Sequence, residues 1–357
     1  MKLPFFDRFS SGGTVGIDIG TASIKAVEMS RDGGRFKLLN YGIFELENQD
    51  KTMQTNQKAG KLPDQDIIWG IQEILKQAGI KSKNVIASIP SFSTFATVIT
   101  LPYLSEKELA KTIPFEAKKY IPIPLDEVVL DWSITSIVNS TEANAGRTPP
   151  NVEVFLAAVP RGEVERYRKI MAESGLNLVS LELENIALIR SLIGNDLSPI
   201  AVVNIGGRST SILVVDGGYE RVGHNYEIGG FEVTKSIARS MGVDLARAEE
   251  LKKTIGLKSN DAQIITEAMI SLIDMMVFET KKTITNYESS KNAKVQKIVL
   301  IGGLANMPNF IDYFKGKTNL DVSLGNPFAR VAYPKDLKNL VADLGPVLST
   351  AMGLAMH

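Results

Sequence analysis

Apolar and polar positions alternate along three stretches near the start of the chain, TVGIDIG (14–20), SIKAVEMS (23–30) and FKLLNYGIFEL (36–46). The pattern predicts a three-stranded meander, with RDGG (31–34) turning between the last two strands. The polar run NQDKTMQTNQKAGKLP (48–63) reads as a surface loop. From Asp64 the period changes, and Ile67, Ile68, Ile71, Ile74 and Leu75 share one helix face, with Asp64 as N-cap and Gly79 as the stop. NVIASIP (84–90) is a further strand. Ser105 and Glu108 form a capping box for SEKELAKTIPFEAKKYIP, where Pro114 permits a bend or a break. VVLDWSITSIV and VEVFLAAVP are two strands around the disorder-prone NSTEANAGRTPPN (139–151). Residues 161–174 predict a helix closed by Gly175, and IAVVNIG (200–206) opens a second strand-rich region. A long helix lies near 261–291, and KIVLIGG (297–303) is a buried strand entering a glycine turn, with a helix starting at Pro308.

Composition narrows what this α/β chain can do. Its 357 residues suffice for about two domains with cores of their own. Forty basic side chains balance forty acidic ones, which excludes a broad electrostatic grip on nucleic acid. With no cysteine and only His224 and His357, disulfides, thiolate metal sites and a Ser–His–Asp triad fall away. No apolar run approaches the ~20 residues that span a bilayer. The opening MKLPFFDRFSSGG lacks the apolar core of a secretory signal, so the expectation is a soluble cytoplasmic protein. Leu3, Phe5, Phe6 and Phe9 beside Lys2 and Arg8 allow a membrane- or partner-touching segment, or a loosely packed terminus.

An internal repeat carries the chemistry. IDIGTASIK (17–25) aligns with VNIGGRSTS (203–211), so that Asp18 falls on Asn204, Gly20 on Gly206 and Ser23 on Ser209. In each copy a strand delivers a small polar residue, then a glycine, then a returning strand. Such turns present backbone N–H groups and hydroxyls to an anion. No GxxxxGK[ST] loop is present, so two facing hairpins would clamp a phosphate chain instead. IVLIGGLANMPNF (298–310) supplies a Gly-Gly turn on which a flat purine can lie, and AEELKK (248–253) places Glu249 and Lys252 on one helix face. Taken alone, that last pair reads as a surface ion pair.

This order of motifs resembles the actin, Hsp70 and sugar kinase superfamily. Within it the chain resembles the PilM family, actin-like cytoplasmic proteins of type IV pilus assembly related to the division protein FtsA. GIDIGTASIKAVEM, ASIPSFSTFATVITLPYLSEKELAKTIPFEAKKYIPIPLDEVVLDW (87–132), LELENIALIRSL (181–192), YEIGGFEVTKSIARSMGVDLARAEELK (226–252) and GPVLSTAMGLAMH carry the likeness. It implies a two-lobed actin-like fold: 1–90 plus 161–200 as the first lobe, 91–160 as an inserted, partner-binding subdomain, and 201–357 as the second lobe with 236–297 as its helical part. It also implies ATP or ADP with Mg²⁺. Asp18 and Asn204 would hold the metal through water. Gly20, Thr21, Ala22, Ser23 and Lys25 would line the phosphates, with Gly206, Gly207, Arg208 and Ser209 closing from the other lobe. Gly229 and Gly230 would lie near ribose and phosphates, Glu249 and Lys252 at ribose and adenine, and Gly302, Gly303 and Asn306 under the base. Glu182 and Glu184 match acidic positions near the lobe junction, with helix-start capping as the alternative.

Asn204 departs from the superfamily, which carries Asp there. An amide brings no charge to a cation and accepts no proton, and no other residue offers an evident base; His224 is placed in a loop. The expectation is therefore nucleotide binding with slow or absent hydrolysis, ATP acting as a conformational ligand. The region 91–160, read as two helices and two strands, carries Phe92, Phe95, Phe115, Tyr120, Ile121 and Trp132, mostly as its own core. The family likeness implies that a groove between this module and the first lobe takes the N-terminal cytoplasmic peptide of PilN, with Phe95, Phe115 and Tyr120 as contacts. It also implies other inner-membrane platform proteins and the assembly ATPase as partners. The chain would then sit at the inner face of the cytoplasmic membrane, peripherally, through its partner. Two rivals share the fold: a filament-forming FtsA-type protein and a small-molecule kinase.

Overall fold

The computed structural model describes residues 13–46, 62–138, 150–257 and 263–357. The aromatic N-terminal segment, most of the polar run 48–63 and the stretch 139–149 lie outside the described residues. The chain divides into two compact units, residues 90–169 and the remainder.

The expected meander is present as β1 (Thr14–Ile19), β2 (Ser23–Asp32) and β3 (Arg35–Glu45), antiparallel throughout. Helix α1 (Asp64–Gln77) turns Ile67, Ile68, Ile71, Ile74 and Leu75 inward, as the 3.6-residue spacing requires. Its cap differs from expectation: Pro63 precedes the helix, its carbonyl accepting from Asp66 N (3.1 Å) and Ile67 N (3.3 Å), and Asp64 is the first helical residue. β4 (Asn84–Ile89) then lies parallel to β1.

Among the described residues, the region 91–160 contains three strands and one α-helix, not two of each. β5 (Phe95–Pro102), β6 (Val128–Val138) and β7 (Asn151–Pro160) form an antiparallel sheet in the order β5-β7-β6. Helix α2 (Glu106–Ala117) has the predicted capping box and runs through Pro114 unbroken. It packs Leu109, Ile113 and Ala117 with Ile99, Val128, Val154 and Leu156 in one core. Helix α3 (Arg161–Glu173) leads onward, and Gly175, at φ +76°, follows its end.

β8 (Asn177–Leu183) adds a parallel strand beside β4, and α4 (Glu184–Leu192) begins at its last residue. A second sheet follows from β9 (Ile200–Ile205), β10 (Thr210–Asp216) and β11 (Tyr219–Tyr226). Helices α5 (Gly230–Met241), α6 (Leu245–Thr254) and α7 (Gln263–Lys291) cover one face of it. β12 (Lys297–Ile301) pairs parallel with β9, and after α8 (Phe310–Thr318), β13 (Asp321–Leu324) pairs parallel with β12. β14 (Val331–Ala332) returns to pair with β3 in the first sheet. Helix α9 (Val341–Ala355) packs against β1 and α4 so closely that a side chain at Gly16 would meet the Ala351 carbonyl, and one at Gly353 the Ala187 carbonyl.

The two sheets run β14-β3-β2-β1-β4-β8 and β11-β10-β9-β12-β13, so one topology occurs twice. The register repeats as well. Asp18 pairs with Lys25 and Asn204 with Ser211; Ile19 pairs with Ile24 and Ile205 with Thr210. Adding 186 to each first-sheet position yields the second-sheet pair. The apolar alternation explains both registers, because a one-residue slip would expose Val15, Ile17, Val203 and Ile205, all of them fully buried.

Candidate functional site

Each repeat closes with the same hydrogen bond. Gly20 N donates to Ser23 O at 3.0 Å and Gly206 N donates to Ser209 O at 2.9 Å. The two turns face each other at contact distance: a Cβ on Gly207 would lie 2.7 Å from the Ala22 methyl and 3.2 Å from Thr21 Oγ1. Thus Gly20, Thr21, Ala22, Ser23, Gly206, Gly207, Arg208 and Ser209 form two adjoining turns, with Lys25 beside the first. Gly229 and Gly230 have a bracing role that the sequence did not suggest. Gly230 N donates to Gly206 O (2.9 Å) and Phe231 N to Gly207 O (2.8 Å), which clips the start of α5 to the second hairpin. Two of the free N–H groups that a helix start offers an anion are thereby used.

The side chains behind the hairpins differ. Asp18 is nearly buried; Ser88 Oγ donates to it at 3.0 Å from β4, and Lys25 Nζ lies 3.4 Å away. Asn204 donates through Nδ2 to Glu184 Oε1 at 2.6 Å. A carboxylate therefore stands beside the position where Asp was expected, brought from the first residue of α4. The sequence offered no evident base here; the structure places the Glu184 carboxylate beside Asn204. Glu184 is 20 positions upstream of Asn204, and the link exists because α4 starts where β8 ends, beside β9. A carboxylate accepts hydrogen bonds, so the amide nitrogen faces Glu184 and Oδ1 is left for the turn.

Glu182 does different work. Arg190 grips it with two hydrogen bonds (2.8 and 2.9 Å), His357 Nδ1 contacts it, and Arg190 also donates to Gly353 O at 2.7 Å. Burial pushes its carboxyl up, but the bonds from His357 and Arg190 together outweigh burial and hold it below the ordinary glutamate value. Glu182 ties β8 and α4 to α9.

On the other side, Lys252 is no surface residue. It is 7% exposed, with Nζ donating to Gly230 O (3.1 Å) and Thr234 Oγ1 (2.8 Å) and paired with Glu249 at 2.5 Å. Thr234 Oγ1 in turn donates to Glu249 Oε2. Burial lowers the Lys252 ammonium below its usual value, and Glu249 offsets only part of that. Lys252 thus props the start of α5 against the second hairpin. Gly302 adopts φ +90°, which only glycine tolerates easily, and a side chain there would strike the Ile205 carbonyl. Gly303 faces open space, and Asn306 donates to Asp343 O (2.7 Å) while its buried Oδ1 has no partner among the described residues. The helix expected from Pro308 begins at Phe310, because Pro308 O accepts from Leu257 N and Asn309 takes a left-handed conformation.

Asp18, Glu184 and the Asn204 amide oxygen are hard oxygen donors of the kind Mg²⁺ takes. Among the described residues no three His, Cys, Asp or Glu converge on a metal position, so these donors fit a hydrated ion and not a protein cage. His224 lies on β11, not in a loop, with Nε2 3.2 Å from Glu279 and its ring stacked on Tyr226. In the unit 90–169, Phe95 and Trp132 pack on the core and Ile121 lies within it, while Phe92, Phe115 and Tyr120 are exposed.

Two sheets of repeated topology, with glycine hairpins facing each other and a further glycine turn after β12, define an actin-like fold. Solved structures agree. One chain of the PilM–PilN type IV pilus biogenesis complex matches with a TM-score of 0.80 and 22% identity, covering 97% of this chain and 98% of that one. EutJ from Carboxydothermus hydrogenoformans matches with a TM-score of 0.58 and 18% identity over 98% and 91% of the two chains. ADP-bound MreB5 of Spiroplasma citri matches with a TM-score of 0.53 and 14% identity over 96% and 95%. The type IV pilus assembly protein PilM family model matches residues 16–357, and the chain belongs to that family. Cell division protein FtsA of Pseudomonas aeruginosa is 24% identical over 389 residues, 96% of this chain and 88% of the relative.

Proposed function

We propose that this PilM-family chain binds ATP or ADP with Mg²⁺ between the two hairpins. It serves as a cytoplasmic adaptor of the type IV pilus platform that takes the N-terminal peptide of a PilN-type partner. The observation that carries the nucleotide reading is the pair of registered glycine turns in contact at Ala22 and Gly207. Their free N–H groups, the hydroxyls of Thr21, Ser23 and Ser209, and the cations of Lys25 and Arg208 suit a phosphate chain. Bound Mg²⁺ would offset phosphate charge. The carboxylate of Asp18 and the Asn204–Glu184 pair would hold its waters. Gly303 leaves a bare surface for a base. Hydrolysis is slow in this reading, because the strand position itself carries the Asn204 amide, which brings no charge to the cation and accepts no proton.

The PilM–PilN complex and the ADP-bound MreB5 support the two ligands. A peptide held on the unit 90–169 would use its apolar side chains and an open strand edge, β5 or β6. Such a partner would keep the protein at the inner face of the cytoplasmic membrane. Calorimetric titration with ATP, with and without Mg²⁺ and with phosphate release followed in the same sample, tests the site; a PilN N-terminal peptide is then titrated in both nucleotide states. Binding with slow phosphate release and a peptide heat is expected. Rapid turnover would return the protein to the enzymes, and an absence of ATP heat would leave the hairpins as scaffold.

A further inference from the structure

Helix α2 buries Leu109, Ile113 and Ala117, each fully inaccessible, in the core of its unit. At 3.6 residues per turn, Phe115 projects about 160° from Ile113, the centre of that buried face, and Lys111, Lys118 and Lys107 flank it about 40°, 60° and 80° away on one side. All three lysines are exposed, and Phe115 is 68% exposed, with Lys118 Nζ 5.8 Å from its ring centre. Tyr120, 44% exposed, stands just past the helix end. Of the acidic neighbours, Glu106 falls on the opposite side of the wheel and Glu116 pairs with Lys119 at 2.7 Å, while Glu108 lies about 20° from Phe115, on the side away from the three lysines, and keeps its charge as it accepts from Ser105. In a chain with no net charge this is a local basic stripe with one aromatic ring at its crest.

We propose that this face of α2 rests directly on an anionic phospholipid surface. Phe115 enters the boundary between headgroups and acyl chains, and Lys107, Lys111 and Lys118 lie over headgroup phosphates. Charge complementarity selects the lipid, since lysines beside an anionic bilayer are attracted individually. Shape does so as well: a ring standing proud of a convex helix suits a deformable plane, whereas a peptide seeks a groove. A single weak anchor binds membranes only reversibly, so this face would act as the second attachment beside a membrane-protein tether. The inference goes beyond the adaptor reading, because it needs neither nucleotide nor peptide.

The test uses the full chain with vesicles of equal parts phosphatidylglycerol and phosphatidylcholine, against phosphatidylcholine alone, without nucleotide or peptide. Pelleting with the anionic vesicles only is expected. Replacing Lys107, Lys111 and Lys118 together by Gln should lower partitioning roughly a hundredfold, about fivefold per lysine. Phe115→Trp should add emission, relative to the unaltered chain, that shifts to the blue on anionic vesicles and not with a Glu-rich peptide. Absence of pelleting, partitioning unchanged in the lysine variant, or no blue shift overturns the proposal. A shift with the Glu-rich peptide alone also overturns it and assigns the face to an acidic protein segment. Unaltered thermal unfolding of the variants establishes that their fold is intact. Failure of ATP to bind would sink the nucleotide reading and leave the vesicle result standing.

Discussion

The hairpin at Gly20 and the hairpin at Gly206 share a register and a closing hydrogen bond, yet their supporting side chains come from different places. Behind the first, a carboxylate on the strand itself, Asp18, is held by Ser88 and faced by Lys25. Behind the second, the strand supplies an amide, Asn204, and the carboxylate arrives from α4 as Glu184. Backbone geometry is conserved between the halves of the chain because the turn needs it. The charge is not tied to one position, because any element end that reaches the turn can deliver it. The lesson is that a missing acid in a motif is a question about the neighbouring helix before it is a statement about chemistry.

The largest effect is expected at the contact between the hairpins. Gly207→Val pushes a branched side chain into Ala22, and nucleotide affinity should fall at least about 100-fold, or ~2.7 kcal/mol, by calorimetry. Gly303→Ala, whose methyl meets nothing within 4 Å, should leave thermal stability unaltered. Equal affinity in Gly207→Val and the unaltered chain would mean that the two turns do not share a ligand.

Next comes Asn204→Asp, which makes the second hairpin resemble the first. It sets two carboxylates at the distance of the present 2.6 Å hydrogen bond, and one carboxyl is then pushed above its ordinary value. A folded-state pKa above the unfolded one is a penalty that grows as pH rises. The variant should be about 2 kcal/mol less stable at pH 8, and near the original chain below about pH 4. Adding Glu184→Gln should restore stability at pH 8. A melting difference independent of pH would show that Glu184 swings away.

Glu182 offers the contrasting carboxylate, already satisfied by Arg190 and His357. Burial raises its pKa, but those partners outweigh burial and leave the folded value depressed, so its stabilisation is complete above the ordinary value of 4.5 and disappears as pH falls below it. Glu182→Gln should cost about 1–2 kcal/mol at neutral pH and flatten the acid limb of the stability curve. An unchanged acid limb would place that titration elsewhere. The smallest effect belongs to His224→Gln. The side chain is 42% exposed, and its pair with Glu279 should contribute less than about 0.5 kcal/mol to unfolding in urea.

Much was legible in the linear pattern, and the reasons are local. The meander, the capping box at Ser105 and Glu108, the inward face of α1 and both glycine turns follow from alternation, side-chain reach and the conformational freedom of glycine, each acting within a few residues. The repeat offset of 186, legible in the sequence, carries over to the strand registers, because one period-2 pattern was written twice. Pairings across distance were another matter. Nothing near Asn204 in the chain announces Glu184, and nothing near Lys252 announces Gly230, 22 positions away. β5 passed unnoticed in a stretch without turn signals, and β14 pairs with β3 across almost 300 residues. Phe95 and Phe115 look alike in the sequence, and one packs inward while the other stands in solvent, since the neighbouring strands bury the first and the far side of α2 carries the second. Period and turn chemistry determined the elements and their registers; the approach of elements far apart in the chain decided which polar groups meet and which apolar ones are covered, because burial and charge pairing depend on neighbours that no local pattern encodes.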